Sequence, residues 1–280
     1  IIRTYVVMFS QLILAWLIPA LLVLFRQPEK YLNYGWPLSY KDLRPQEFLG
    51  LWQTDAPKLA AALAVYGLIF TFILTPVLTY FYGKRWYCSW VCGCGGLANT
   101  LGDTWRQNSS KSRLSWSIEK KSIYSVLVLV FVSTGGLWYS WATGTANDFT
   151  NGLAKTYGFM IGMVFSGAVG TGFYPILGTR IWCRFGCPQA AILGILQTVF
   201  SRFRITTNGA QCISCGNCST YCEMGIDVRA YAQRGENIVR SSCVGCGICS
   251  AVCPRGVLKL ENDRLENRIN SENYPLGNTL

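Results

Sequence analysis

The segment from Cys212 to Pro254 constrains this chain most, because it holds eight cysteines in two copies of one spacing. Each copy reads C-x2-C-x2-C-x3-C, the spacing of bacterial proteins that bind two [4Fe-4S] clusters, in which the fourth cysteine ligates the other cluster. The spacing therefore predicts two clusters. The predicted ligands are Cys212, Cys215, Cys218 and Cys253 for cluster one, and Cys243, Cys246, Cys249 and Cys222 for cluster two.

Structural zinc and disulfide bonds are the alternative uses of these eight cysteines. Zinc sites prefer paired C-x2-C units that are separated by longer gaps, so the spacing favours iron–sulfur clusters. Three glycines lie within the two runs, at Gly216, Gly245 and Gly247. We expect them to let the backbone pass close to sulfur, where a Cβ atom would clash.

The composition is that of a membrane protein. The chain is 51% hydrophobic, and only 14% of its residues are charged, against about 25% in soluble proteins. Its net charge of +11 comes from basic residues in particular loops, which we interpret as topology signals and not as a nucleic-acid surface. The chain contains no His, which excludes His-ligated haem, His-based zinc or copper sites and His acid–base catalysis.

Four uncharged stretches are long enough to cross about 30 Å of hydrocarbon as helices. They are residues 4–25, 59–82, 122–142 and 159–179. Pro19, Pro76 and Pro175 are expected to bend three of them. A cleaved signal peptide is the alternative for the first stretch, but its apolar run is too long and no small-x-small site precedes Arg26. The chain opens at Ile1 and not at Met, which leaves open whether a segment precedes it.

A short motif is repeated where the second and fourth stretches end. Residues 84–93 and 179–188 align without gaps, and each contains a C-x3-C pair. Cys88 and Cys92 in the first copy match Cys183 and Cys187 in the second, while Cys94 has no counterpart. Because residues four apart share one face of a helix, we predict that the four matched thiols converge at the membrane surface.

Four converging thiols suit a further iron–sulfur cluster or a zinc ion. A redox-active disulfide within one motif and inert packing of buried thiols remain alternatives. Cys94 is either a spare ligand or simply buried.

The basic residues predict the orientation of the chain in the membrane. The loop after the second stretch holds seven Lys or Arg, whereas the loop after the third holds only Lys155. The positive-inside rule then puts both C-x3-C motifs and the cluster-binding segment on the cytoplasmic side of an inner membrane. We also expect residues 46–53, and the stretch 189–203, to lie along the membrane surface as amphipathic helices.

The predicted fold class is therefore a membrane α-helical protein with three parts. Residues 1–204 form four transmembrane helices as a duplicated two-helix hairpin, and residues 205–260 form a small α+β ferredoxin-like domain with two [4Fe-4S] clusters. Residues 261–280 are polar and are expected to be a weakly ordered tail.

These features together resemble the membrane polyferredoxins of the NapH/NosR/CcoG type, over residues 1 to about 260. The resemblance implies electron transfer between the quinone pool, or a cytoplasmic donor, and a partner redox enzyme, or support of metalloenzyme maturation. The sequence departs from the family pattern because Gly93 and Glu223 each stand where a Pro is expected, and because Cys94 is added. We expect ligation to survive these changes.

We therefore expect an electron-transfer subunit of an oxidoreductase complex, and not a stand-alone enzyme. The alternative is an assembly factor that supplies electrons while a metalloenzyme is built. The expected partners are the membrane, other redox subunits and a quinone, with no nucleic acid. A quinone site cannot be placed by motif, and the aromatic residues of the loop 31–52 and of the two C-x3-C motifs are the places to look.

Overall fold

A computed structural model describes residues 2–27, 30–39, 43, 45, 58–144 and 148–263. The predicted surface helix at 46–53 and nearly all of the predicted polar tail lie outside the described residues. Helices dominate the described chain, and a pair of short strands encloses its C-terminal part.

Two of the long helices change pitch directly before a proline. Helix α1 consists of the α-helix Ile2–Gln11, the π-helix Leu12–Leu17 and the α-helix Ile18–Leu24. Helix α2 (58–82) repeats this order with Lys58–Ile69, the π-helix Phe70–Leu74 and Thr75–Tyr82. Pro19 and Pro76 each lie in the first turn after the π-helix, where a missing N–H is tolerated best.

Among the described residues, three helices are long and apolar enough to cross a membrane: Ile2–Leu24, Ala62–Tyr82 and Arg113–Ala142. Large apolar side chains cover their outer faces; Phe9 and Trp16 of α1, for example, are each 65% exposed. An apolar surface of this extent is unfavourable in water and is suited to lipid. The structure is therefore consistent with a membrane protein.

The predicted fourth span is helical, but it is not one of the three helices that are long and apolar enough to cross a membrane. Helix α6 (148–172) comprises Asp148–Tyr157, the π-helix Gly158–Val169 and Gly170–Gly172. The charged first turns, with Asp148 and Lys155, and the many glycines make it less apolar than the other three. Pro175 lies beyond its end, in the separate short helix α7 (Tyr174–Leu177).

The region after α2, predicted as a loop up to residue 121, is largely helical. It contains α3 (Arg85–Cys88), α4 (Gly93–Asn99) and the 3₁₀-helix Asp103–Asn108. Helix α5 (Arg113–Ala142) begins nine residues before the predicted span, and the Ser112 side chain caps it by accepting the Ser115 N–H at 3.1 Å. The prediction counted only uncharged residues, whereas the helix continues through its charged first turns.

Residues 189–203, predicted to lie along the membrane surface, form a helix that is packed against other helices of the chain. After the short helix α8 (Ile181–Phe185), helix α9 (Pro188–Val199) packs against α5 and the end of α2. Gln189 and Gln197 are buried together with its apolar residues. Gly194 is required there, because a Cβ atom would lie 2.7 Å from the Ser241 carbonyl oxygen.

The C-terminal part is enclosed by the strands β1 (Arg204–Thr207) and β2 (Leu258–Glu261). They pair in antiparallel orientation, with Arg204 opposite Glu261 and Thr207 opposite Leu258. Between the strands lie three helices of four to seven residues: α10 (Asn217–Thr220), α11 (Val228–Arg234) and α12 (Ile248–Ala251). Helices α10 and α12 each begin within one cysteine run, so the two runs adopt the same local form.

Candidate metal centres

The first centre is a cavity at the surface of the C-terminal part, which we call cavity one. It has a volume of about 350 Å³, and Cys215 on its wall is exposed. Two basic side chains, Arg229 and Arg255, also line it. The cavity brings together the four cysteines predicted for cluster one: Cys212, Cys215, Cys218 and Cys253.

The second centre, cavity two, has nearly the same volume, about 360 Å³, and most of the residues that line it are buried. Its wall is apolar and includes Ile205, Met224 and Ile226, each at most 3% exposed. It brings together the four cysteines predicted for cluster two: Cys222, Cys243, Cys246 and Cys249. In both cavities the fourth cysteine comes from the other run, as the spacing predicts.

The glycines of the two runs adopt a backbone conformation that other residues rarely adopt. Gly216, Gly245 and Gly247 have φ values of 82°, 60° and 81°, so each has left-handed backbone, which favours glycine. At Gly245 the protein atom nearest to an added Cβ belongs to the Phe203 ring, at 2.7 Å. Ser214, at the position equivalent to Gly245, also has a positive φ of 59°.

The third centre lies where the two C-x3-C motifs meet. Cys88, Cys92, Cys183 and Cys187 are all buried in one core cluster, and Cys94 packs against it. The pKa of the Cys187 thiol is raised by burial and further by its neighbours Cys183, Cys92 and Cys88. The four matched thiols are therefore close in space, and we call them, with Cys94, the five-cysteine site.

The two cysteines of each motif do not share one helix, as the i, i+4 argument assumed. Cys88 ends α3, and Cys92 has extended backbone before α4; Cys183 lies within α8, and Cys187 has extended backbone before α9. The turns are equivalent, because the Cys92 N–H donates to the Tyr87 carbonyl at 2.9 Å and the Cys187 N–H to the Trp182 carbonyl at 3.0 Å.

Cys94 belongs to the third centre. A hydrogen bond from its thiol lowers the pKa of Cys92 to about 6 against the effect of burial, and the backbone N–H groups of Gly95 and Cys94 act in the same direction. Gly95 must be glycine, since a Cβ atom would collide with the Cys88 carbonyl oxygen. The sequence signal that could have placed Cys94 is its position, two residues after a motif cysteine.

Two segments from the N-terminal part of the chain lie beside the five-cysteine site: helix α1 and the loop that contains Asn33 and Tyr34. Gln11 of α1 donates to the Val91 carbonyl, and Asn33 donates to the Gln11 side chain at 3.3 Å. The pKa of the neighbouring Tyr34 hydroxyl is raised by burial and by the Cys92 and Cys94 thiols. The predicted aromatic loop therefore contributes directly to the environment of these cysteines.

A buried carboxylate, Glu223, joins the C-terminal part to the helical part. It is 1% exposed, and its carboxylate lies 2.7 Å from Arg180 Nε, 3.0 Å from an Arg3 nitrogen and 3.8 Å from Arg106 Nε. Burial opposes ionisation, but the three arginines, Arg180 first, lower the pKa of Glu223 to about 2. The residue that replaces the expected Pro is thus the anchor of an ion-pair network, and Ser109 Oγ donates to its carbonyl at 2.7 Å.

A second buried carboxylate, Glu119 of α5, makes a parallel connection. Arg184 Nε lies 2.5 Å from it, and Arg240 of the C-terminal part lies 3.9 Å from it. Arg184 also donates to the Ser110 carbonyl at 2.6 Å. Neither carboxylate was singled out for this role in the sequence, because their partners are distant along the chain.

The residues around the two cavities fit a four-iron cluster better than a single ion. A tetrahedral zinc with bonds of about 2.3 Å holds its sulfurs about 3.8 Å apart, and no three Cys, Asp or Glu side chains within the described ranges form such a group. A [4Fe-4S] cluster binds each thiolate to a different iron and needs wider spacing. All 13 cysteines are described, and each is a free thiol.

Comparisons with known proteins match three parts of the chain. The family model described as a 4Fe-4S dicluster domain matches residues 211–258. The model described as a 4Fe-4S binding domain matches twice, over residues 64–112 and 158–206, which contain the two C-x3-C motifs. No solved structure is similar enough to match.

YccM of Escherichia coli (strain K12), described as an electron transport protein, is 40% identical over 47 residues. This stretch is 17% of the chain and 13% of YccM. The chain contains 4Fe-4S-binding domains. The prediction that its C-terminal part binds [4Fe-4S] clusters is thereby confirmed, whereas the NapH/NosR/CcoG family itself stays a resemblance, because no single model covers half of the chain.

Proposed function

We propose that this protein is a membrane-bound electron-transfer subunit in which cavity one, cavity two and the five-cysteine site form one line of redox centres. The observation that carries the proposal is their placement. Cavity one has exposed residues on its wall, and cavity two is lined mostly by buried apolar residues. Ser89, which follows Cys88 of the five-cysteine site, donates to the carbonyl of Val244 in the wall of cavity two at 3.0 Å.

The predicted ligands would hold one [4Fe-4S] cluster in each cavity. When bound, each cluster stores and passes on a single electron. The chain supplies the surroundings: an apolar wall and a fixed backbone around cavity two, and an open, partly basic wall around cavity one. Burial and hydrogen bonds to sulfur are the means by which a protein tunes such centres.

The five-cysteine site is the proposed third centre. Its support is the convergence of five thiols, the backbone N–H groups directed at Cys92 and Cys187, and the match of both motif regions to one 4Fe-4S binding family. Cys88, Cys92, Cys183 and Cys187 are the proposed ligands of a cluster there. A single metal ion and a redox disulfide are the other possible uses of these thiols, and neither would add a further four irons with labile sulfide in the experiment below.

The membrane topology is also part of the proposal. Helix α6 would be a fourth span beside the three apolar helices, and both cysteine motifs would face the cytoplasm, in keeping with the basic residues around them. Electrons would then pass between a cytoplasmic donor that docks near Arg229 and Arg255 and a quinone or partner enzyme at the membrane. An acidic donor suits these two exposed cations.

An electron-supplying maturation factor is the second candidate function. The observation in its favour is the fifth thiol, since a cluster needs four and the Cys92–Cys94 pair could act on a partner's metal or disulfide. Purification from membranes separates the two functions. A respiratory subunit copurifies with one partner in fixed ratio, and a maturation factor does not.

The direct test is iron and acid-labile sulfide per chain after anaerobic purification, with EPR of the dithionite-reduced protein. We expect clearly more than about eight irons, the number that two four-iron clusters require, and a third signal. That signal should disappear in Cys88→Ser and in Cys183→Ser, while the signals of the two cavities persist as internal controls. About eight irons and no third signal would refute the third centre.

A further inference from the structure

Lys84 is a charged residue in the interior of the described chain, and it is 0% exposed. Its ammonium donates to the Ser241 carbonyl at 3.1 Å. Within the part of the chain that the structure describes, no carboxylate lies within ion-pair distance of it. Burying a charge without a counter-ion is unfavourable in free energy. A negatively charged group near Lys84 would offset this cost.

The groups that can supply negative charge are the two thiol sites on either side of Lys84. On one side, the Cys88 N–H donates to the Lys84 carbonyl at 3.0 Å, so Lys84 lies one turn before a cysteine of the five-cysteine site. On the other side, its ammonium contacts Ser241, which is two residues before Cys243 of cavity two. Lys84 therefore lies between the two sites.

The hydrogen bonds around Lys84 fix it between those sites. Its backbone N–H donates to Gln197 Oε1 at 2.6 Å, and Nε2 of the same side chain donates to the Cys243 carbonyl at 3.0 Å. The ammonium itself bonds to the residue two positions before Cys243. One buried amide and one buried ammonium thus tie the start of the first C-x3-C motif to the loop of cavity two.

The second copy of the motif has no equivalent charge. Lys84 aligns with Thr179, and the next residue, Arg180, is neutralised by Glu223 at 2.7 Å. Because the repeat does not require a lysine at this position, its burial without a carboxylate needs another explanation. A negatively charged group in the neighbouring thiol sites supplies one.

We propose that Lys84 is the shared counter-cation of cavity two and the five-cysteine site, and that it raises the reduction potential of the centres in both. This inference rests on the proposed function, since it needs a redox centre in each site. A thiolate-ligated cluster is anionic and gains one more negative charge on reduction, so a fixed buried cation favours the reduced form.

The test is an EPR-monitored redox titration of the purified full-length protein in detergent, comparing wild type with Lys84→Met. We expect the equilibrium constants for reduction of the centre in cavity two and of the centre in the five-cysteine site to fall at least tenfold. A tenfold fall lowers the reduction potential of a one-electron couple by about 59 mV. The centre in cavity one should move much less. In Lys84→Arg, which keeps the charge, both reduction potentials should stay close to those of the wild type.

Lys259→Met is the matched control, because Lys259 is exposed and water and salt screen its charge. Equal shifts in Lys84→Met and Lys259→Met, or a shift of only one of the two centres, would overturn the inference. If Lys84→Met fails to take up iron, Lys84→Gln, which keeps a donor for the Ser241 carbonyl, must show the same two shifts. A wild type without a third signal refutes the proposed third centre separately.

Discussion

Cavity one and cavity two share a cysteine spacing and a volume, but they differ in their surroundings. Cavity one has an exposed cysteine and two exposed arginines on its wall. Cavity two has an apolar wall, and its loop is bonded to the helical part through Lys84, Ser89 and Gln197. The difference is in keeping with the proposal that cavity one receives electrons from a soluble donor and cavity two passes them to the five-cysteine site.

The largest effect should come from removing one ligand of either site. Cys243→Ser and Cys215→Ser should each lose one cluster, about four irons per chain, measured by iron analysis and EPR. Because the run that holds Cys243 is bonded to Gln197 of the helical part, Cys243→Ser should also lower the thermal stability more than Cys215→Ser. Equal loss of stability in both variants would contradict the contrast between the two cavities.

The next largest effect should come from Glu223→Gln, which leaves Arg180 buried without its counter-ion. Removing one partner of a buried ion pair costs about 3–5 kcal/mol, so we expect a clear fall in the thermal unfolding temperature of the purified protein. Glu236→Gln is the control, since its ion pair with Arg234 is half exposed and such pairs contribute about 0–1 kcal/mol. Similar unfolding temperatures for both variants would show that Glu223 is not an anchor.

Smaller changes in stability should come from substitutions at the residues with left-handed backbone in the two cysteine runs. Gly245→Ala adds a Cβ atom at 2.7 Å from the Phe203 ring on backbone with φ of 60°, so it should destabilise the loaded protein. Ser214→Gly should stabilise it by about 1 kcal/mol, because a left-handed non-glycine residue is strained by about that amount. Thermal unfolding measures both, and changes of the same sign would contradict this interpretation.

The smallest effect concerns Cys94. If the four matched cysteines are the ligands, Cys94→Ser should leave the iron content unchanged and alter only the shape or potential of the third EPR signal, because its hydrogen bond to Cys92 is weakened. Complete loss of that signal would instead make Cys94 a ligand. Iron analysis and EPR of the same sample decide between the two.

Spacing alone predicted much of the candidate site. The two cysteine runs indicated which four cysteines surround each cavity, because a fixed local spacing gives nearly the same geometry wherever it occurs. The repeated motif indicated that four further thiols lie together. Three of the four predicted spans are apolar helices in the structure, since continuous apolar runs are a strong signal.

The rest depends on contacts between residues far apart in sequence. Glu223 meets Arg3 from the start of the chain, and Lys84 meets Ser241, more than 150 residues away. In the sequence, Lys84 has no more significance than any other basic residue in its loop. Burial of α9 and the difference between the two cavities likewise follow from packing of the C-terminal part on the helices, which no local pattern encodes.

The central claim is that electrons reach the five-cysteine site from cavity one by way of cavity two. Freeze-quench EPR after mixing with substoichiometric dithionite tests it most directly, comparing wild type with Cys243→Ser. In wild type we predict that the signal of cluster one appears first and the third signal later. In Cys243→Ser cluster one should be reduced at the wild-type rate and the third signal should stay absent on that timescale. A third signal that appears equally fast in both proteins would contradict the account.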